Sequence, residues 1–264
     1  MKMKCLLAAG LLFSLTAAAQ VTQEDFDALK AFYEATGGPN WKNNSGWDFT
    51  EKGPADVKAY DKGTGEGWYG ITSVGGGRVL KLDLRDNNLE GKIPDAFYDL
   101  TYLRQALLTR NKLSGTISPG IGKMTRLMNI SLGYNQLTGT IPAEIVSMGR
   151  DTQHTAPRAD GKGGAQLLLD LRNNQLTGSI PAGIGGMTLF TKPCASARID
   201  LSHNQLSGEL PAGLGDLTSL TALILNANQL TGTVPPSIEK LPDLKFLMLS
   251  PNRFTGKVPS IKKQ

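Results

Sequence analysis

Cysteine is nearly absent. The 264 residues include two, Cys5 and Cys194. Cys5 falls in an N-terminal stretch that reads as a leader, so Cys194 is left without an intramolecular partner, which excludes a disulfide-stapled framework. A chain of this length buries enough surface to do without staples, and Cys194 reads as an ordinary loop thiol or, where exposed, as one able to pair between chains. Histidine is equally scarce: His154 and His203 are the only two, and neither sits at a metal-ligand spacing. No Gly-x-Ser-x-Gly, phosphate loop or Cys/His pair occurs, which argues against the common nucleophilic and phosphoryl-transfer chemistries. Charge of one sign is not in large excess. There are 28 Lys plus Arg against 23 Asp plus Glu, and the two cations Lys2 and Lys4 leave with the leader, so the formal +5 falls to +3. No basic run extends beyond Lys262-Lys263, which argues against a nucleic-acid partner.

Long apolar runs are missing too. Leu6 to Ala18 is apolar but too short to span a bilayer, and no second run follows. Its positive start and the Ala17-Ala18-Ala19 stretch before Gln20 identify residues 1–19 as a signal peptide. Cys5 precedes the apolar run and so is not a lipid-attachment cysteine. The expected location is secreted or extracytoplasmic, in a periplasm or at a cell surface.

What the chain has in abundance is repetition. Asn87, Asn111, Asn135, Asn174, Asn204, Asn228 and Asn252 each follow a leucine-rich stretch, at spacings of 24, 24, 39, 30, 24 and 24. A period of that size means a solenoid. Each repeat opens with period-two apolar residues, such as Leu82/Leu84, Ile130/Leu132 and Leu223/Leu225, which is a short strand with one buried face. Strands recurring at a fixed interval stack into a parallel sheet, and seven at ~4.8 Å make a face roughly 30 Å long. The Asn amide has donors and an acceptor to satisfy buried backbone groups where the chain turns inward. The glycine four residues later permits a conformation that other residues resist. Behind it come two further apolar layers, Phe97, Ile121, Ile145, Ile184, Leu214 and Ile238, then Leu100, Met124, Met148, Met187, Leu217 and Leu241. The methionines read as gap-filling core.

The stretch Leu82-Asp83-Leu84-Arg85-Asp86-Asn87-Asn88-Leu89-Glu90-Gly91-Lys92-Ile93-Pro94 resembles the plant-type leucine-rich repeat, and the resemblance covers about residues 79–259 in seven copies. It implies an α/β solenoid: a right-handed superhelix with a concave parallel β-sheet, a helical N-terminal cap, and a role in binding other molecules, usually proteins. Residues 20–78 are expected to form the cap and 79–264 the repeats. In the cap, Thr22-Gln23-Glu24-Asp25 resembles a capping box with Asp for Glu. Phe26, Leu29, Phe32 and Tyr33 recur at helical spacing, and Gly37-Gly38-Pro39 ends the helix. Residues 66–73 are similar to the CxWxGVxC motif of the family's cap, with Glu66 and Ser73 in place of both cysteines, so the usual cap disulfide is absent. In that respect the chain is similar to bacterial secreted members of the family. Trp41, Trp47 and Trp68 read either as packing over the first coil or as a sugar-stacking platform. Residues 51–66 read as a polar loop. At the far end the seventh repeat stops after Pro259, and no closing cap is expected there, which suggests adhesion through that end as one possible use.

The residues between the strand leucines face the concave side. Two features stand out in the resulting columns. Asp170 and Asp200 are expected to be neighbours, with Arg172 and Arg198 diagonal to them and His203 close by. Ala222, Ile224, Phe246 and Met248 are expected to form an apolar patch on coils six and seven. The long spacings place 15 and 6 extra residues near 149–165 and 190–195, on one edge beside Asp170 and Asp200. In solenoids such insertions often mark the binding face. The candidate partner-binding residues are therefore Asp170, Arg172, Arg198, Asp200, His203, Tyr134, Ile224, Phe246 and Met248. Catalysis by the Asp170/Asp200 pair is not expected, because an open sheet face offers no cleft to raise a pKa or exclude water. Tyr134 and Phe246 are the only aromatics in the concave columns, which favours a protein over a polysaccharide as partner. No cofactor is expected.

Overall fold

A computed structural model describes residues 20–151, 166–191 and 196–257. The leader with Cys5, most of the first insertion with His154, Cys194, and the end of the seventh repeat from Val258 lie outside the described residues.

Seven strands stack in chain order as the seven coils: Arg78–Asp83, Gln105–Leu107, Asn129–Ser131, Gln166–Asp170, Ser196–Asp200, Ala222–Ile224 and Phe246–Met248. All six pairings between them are parallel and in the register set by the repeat. An eighth strand, Ile71–Gly75, lies antiparallel at the N-terminal edge, joined to the first coil by the positive-φ pair Gly76-Gly77. The sequence reading placed no strand there. A second, shorter ladder follows the asparagines, over Glu90–Lys92, Lys112–Gly115, Gln136–Thr140 and Gln175–Thr177. The back of each of coils one to six is one turn of 3-10 helix, from Asp95–Asp99 to Pro236–Lys240. Each begins at or just after the proline, whose fixed φ suits an opening turn.

The core runs the length of the stack. Both inner layers expected from the sequence are buried, including Met124, Met148 and Met187. The asparagine ladder is continuous. Asn135 Nδ2 donates to Leu132 O (2.9 Å) and to Leu108 O of the preceding coil (3.1 Å), and its Oδ1 accepts from Leu113 N (3.0 Å). Asn111, Asn174, Asn204, Asn228 and Asn252 repeat the pattern. Asn87 instead exchanges both bonds with the backbone of Asn43, so the cap serves as the preceding coil. The repeat glycines from Gly91 to Gly256 all have positive φ.

Helix α1, Gln23–Ala35, packs on the first coil. Thr22 caps it, accepting from Asp25 N, but only half of the expected box forms. Thr22 N donates to Gly77 O instead, and the buried Asp25 carboxylate takes Arg78 at 2.7 Å and Val79 N at 2.7 Å. An acid with a partly buried cation and a strand amide to hold has a stronger partner than the helix start. Trp41, Trp47 and Trp68 are buried in a continuous ring cluster with Phe26, Tyr33 and Phe49, which overturns the sugar-platform alternative.

The strands of coils four and five have five residues where their neighbours in coils two, three and six have three. They pair from Gln166↔Ser196 to Asp170↔Asp200, so the described ends of both insertions meet on one edge of the sheet. Phe190, expected in the second insertion, is core. A further 3-10 turn, Thr188–Thr191, buries it with Leu189.

Candidate functional site

The solvent-side columns are those expected. Lys81, Gln105, Asn129, Leu168, Arg198, Ala222 and Phe246 align across the sheet, as do Asp83, Leu107, Ser131, Asp170, Asp200, Ile224 and Met248. Their exposure differs from expectation. Asp170 and Asp200 are only 4% and 1% exposed. The neighbouring side chains that cover them also compensate them. Arg198 Nη2 lies 2.6 Å from Asp200 Oδ2 and Arg172 Nη1 at 3.5 Å, while Ser202 Oγ donates to Oδ1 at 2.6 Å. Asp170 accepts from Arg172 N (3.2 Å) and Ser131 Oγ (3.2 Å), and the Ser131 hydroxyl meets that of Thr109. The result is a polar chain from coil two to coil five. Burial pushes the Asp170 carboxyl above its ordinary value, against the pull of the Arg172 charge and N–H. The expectation that an open face leaves these acids solvated is therefore wrong: arginine stems and adjacent coils bury what a flat sheet would expose.

His203 does not join this group. It is exposed at φ 54°, and its imidazole faces Asn226 of coil six at 3.4 Å. Tyr134 is exposed between two guanidinium groups, Arg110 at 5.5 Å and Arg172 at 5.4 Å from its ring centre. The apolar patch is half its expected size. Ala222 and Ile224 are buried, whereas Phe246 and Met248 are 63% and 51% exposed.

A hollow on this face lies nearer the N-terminus than the sequence suggested. It has a volume of about 760 Å³, and the strands of coils one to four form its floor. Gln105, Asn129 and Gln166 stand along one side of the floor, Leu107 and Ser131 in the middle, and Asp170 and Arg172 at the far end. Its other wall is the cap loop, with Tyr60, Lys62 and Tyr69. The two tyrosine rings meet edge to face at 5.2 Å. Gly70 allows that wall to close on the sheet. Its φ is +85°, its carbonyl accepts from Asp83 N at 2.7 Å, and a Cβ there would lie 2.4 Å from Leu84 Cδ2. At the first coil, Asp83 and Arg85 neutralise each other at 2.6 Å. Lys42, also at 2.6 Å, holds the exposed Asp86 carboxyl below its ordinary value. Among the described residues, no group of three or more His, Cys, Asp or Glu could hold a metal ion, and no helix is long and apolar enough to cross a membrane.

The cap wall is not apparent in the sequence, where residues 51–66 read only as a polar loop and Tyr60 and Tyr69 stand in no periodic pattern. The available signal was two tyrosines flanking a segment that the glycines Gly67 and Gly70 fold back onto the sheet.

The family profile described as Leucine Rich Repeat matches residues 78–100, 168–187, 197–217 and 219–241. No curated protein matches the chain significantly. Among solved structures, the chain is similar to the plant peptide hormone receptor RGFR1 in complex with RGF2, at 30% identity and a TM-score of 0.58, over 69% of this chain and 26% of that one. It is similar in fold to PEPR1 in the PEPR1-AtPEP1 structure, at 24% identity and TM-score 0.69, over 90% and 29% of the two chains. It also shares the fold of the leucine-rich-repeat ectodomain of the Arabidopsis receptor kinase HAESA, at 22% identity and TM-score 0.63, over 89% and 34%. The chain thus spans between 26% and 34% of the length of these ectodomains. With seven in-register coils, a continuous asparagine ladder and these matches, the chain carries leucine-rich repeats and folds as a leucine-rich-repeat solenoid.

Proposed function

We propose that the chain is a secreted, non-catalytic binding module that holds a segment of another protein against its concave face. The observation that carries this reading is the open hollow of about 760 Å³ between the cap loop and coils one to four. Its walls mix amides, hydroxyls, paired charges and two tyrosines, the composition of a recognition surface. The solved structure to which the chain is 30% identical over 69% of its length is of a plant peptide hormone receptor in complex with RGF2. Asp170 and Arg172 stand at the C-terminal end of the hollow, with Tyr134 beside Arg172. Arg198, Asp200 and His203, then Ile224, Phe246 and Met248, continue the same face toward coil seven. In this reading Asp200 and Ile224, both buried, support their exposed neighbours rather than touch the partner.

A second reading, a cell-surface glycan as ligand, is favoured by Tyr60 and Tyr69, half-buried on the hollow's wall, since aromatic rings lining an open hollow suit sugar faces. A pull-down from the extracellular milieu, run beside a glycan array, separates the two. The first reading expects a protein captured by the wild type and lost when Leu107 is enlarged to tryptophan. Capture of glycans alone favours the second. Secretion is tested by sequencing the N-terminus of the exported protein, which is expected to begin at Gln20.

A further inference from the structure

Among the described residues, three buried side-chain polar atoms have no hydrogen-bond partner: Trp68 Nε1, Asn129 Oδ1 and Arg172 Nε. Asn129 and Arg172 both line the hollow. Such atoms are uncommon, because burial strips their water and the fold returns nothing. Asn129 is the sharper case. It is 8% exposed and stands in the floor column between Gln105 and Leu168. Its backbone N is already bonded to Arg104 O, and nothing in the coil requires an amide side chain there. The next coil fills the same place with Leu168, so the position accepts an apolar residue.

We infer that Asn129 anchors the ligand of the hollow, taking a hydrogen bond from an uncharged donor, the main-chain N–H of an extended polypeptide. This rests on reading the hollow as a polypeptide site. A cationic donor is disfavoured because the acids that line the hollow are already paired, Asp83 with Arg85, Asp86 with Lys42 and Asp170 with Arg172. A fully deprotonated anion such as a carboxylate has no proton to give. A peptide group suits an amide because both donate and accept, and the last Asn torsion turns freely enough to present either atom. The second such atom, Arg172 Nε, faces the Asp170 carboxylate at 3.5 Å, so its charge is met within the chain and Asn129 alone offers an unmet group to a ligand.

The test uses the wild-type chain and Asn129→Leu, each panned against random linear peptides displayed on phage. The affinity of the best wild-type peptide is then measured for both proteins, and both are unfolded in urea. The inference expects the leucine variant to have a higher urea midpoint than the wild type and to bind the peptide about tenfold more weakly, the worth of one neutral hydrogen bond. A variant of equal or lower stability, or one that binds the peptide as tightly, overturns the role of Asn129 and leaves the polypeptide reading standing. A wild type that enriches no peptide but binds an arrayed glycan overturns the polypeptide reading and the N–H assignment with it.

Discussion

Replacing Asn135 by alanine removes one rung of the ladder, and its cost can be worked from the bonds. Leu113 N–H, on a fully buried residue, loses the acceptor 3.0 Å away. An orphaned buried donor costs about 1–3 kcal/mol. The three carbonyls served by the amide fare better, and Gly133 O keeps the Arg110 N–H at 2.9 Å. Leu108 O keeps the Asn111 amide at 2.8 Å and Leu132 O keeps that of Asn174 at 3.0 Å, so each loses one of two donors. Those losses add about 1 kcal/mol together, giving roughly 2–4 kcal/mol in all. Gln136, next in sequence, is exposed, and its alanine variant should change stability by no more than ~0.5 kcal/mol. Urea unfolding of the two variants reads the difference, and amide exchange at Leu113 should accelerate in the first alone. Asn135→Asp sharpens the test: it keeps the acceptor but sets carboxylate oxygen against two carbonyls, and should be at least as destabilising. Equal losses from Asn135→Ala and Gln136→Ala would refute the reasoning.

Three further outcomes are expected. Asp170→Asn should leave stability at neutral pH unchanged or raised, because the folded protein disfavours the Asp170 charge. A carboxyl raised above its ordinary 3.8 makes the folded state gain stability as pH falls through the raised value toward 3.8, so the wild type should gain on Asp170→Asn over that window in acid titrations followed by circular dichroism. Asp25→Ala should cost about 1–3 kcal/mol, chiefly by leaving the buried Val79 N unpaired while Arg78 keeps Glu24 at 3.7 Å, read as a lowered thermal midpoint. Gly70→Ala should destabilise by at least ~1 kcal/mol, through its positive φ and the contact with Leu84, and should raise proteolysis of the 60–70 loop; unchanged cleavage there would separate that loop from the sheet contact.

The solenoid was legible because its determinants are local and repeated. A period-two strand, an asparagine and a glycine recur in register, and each repeat buries its apolar face only against its neighbour. The register of the concave columns followed directly, and with it the adjacency of Asp170 and Asp200. Burial was not legible. Whether an inward acid is solvated depends on the stems of Arg172 and Arg198 and on the crowding of adjacent coils, none of which has a period. The cap was legible in part. Helix spacing marks α1, and the tryptophans take the packing role, one of the two the sequence offered, but the Asp25–Arg78 pair joins residues 53 apart, and the Tyr60/Tyr69 wall depends on a loop folding back through Gly70. Long-range contacts of single residues leave no pattern along the chain. The apolar patch failed for a related reason: a strand neighbour on both sides buries Ala222 and Ile224, while Phe246 and Met248 lie on the last described strand.

The claim that the hollow is the binding site is tested most directly by filling it. Leu107 lies half-buried in the middle of the floor, and Glu144 is exposed on the back of coil three. Affinity for a protein or peptide captured by the wild type should fall by more than tenfold in Leu107→Trp and stay unchanged in Glu144→Trp, with both variants folded by circular dichroism. Unchanged affinity in Leu107→Trp, or an equal loss in both variants, would contradict the account.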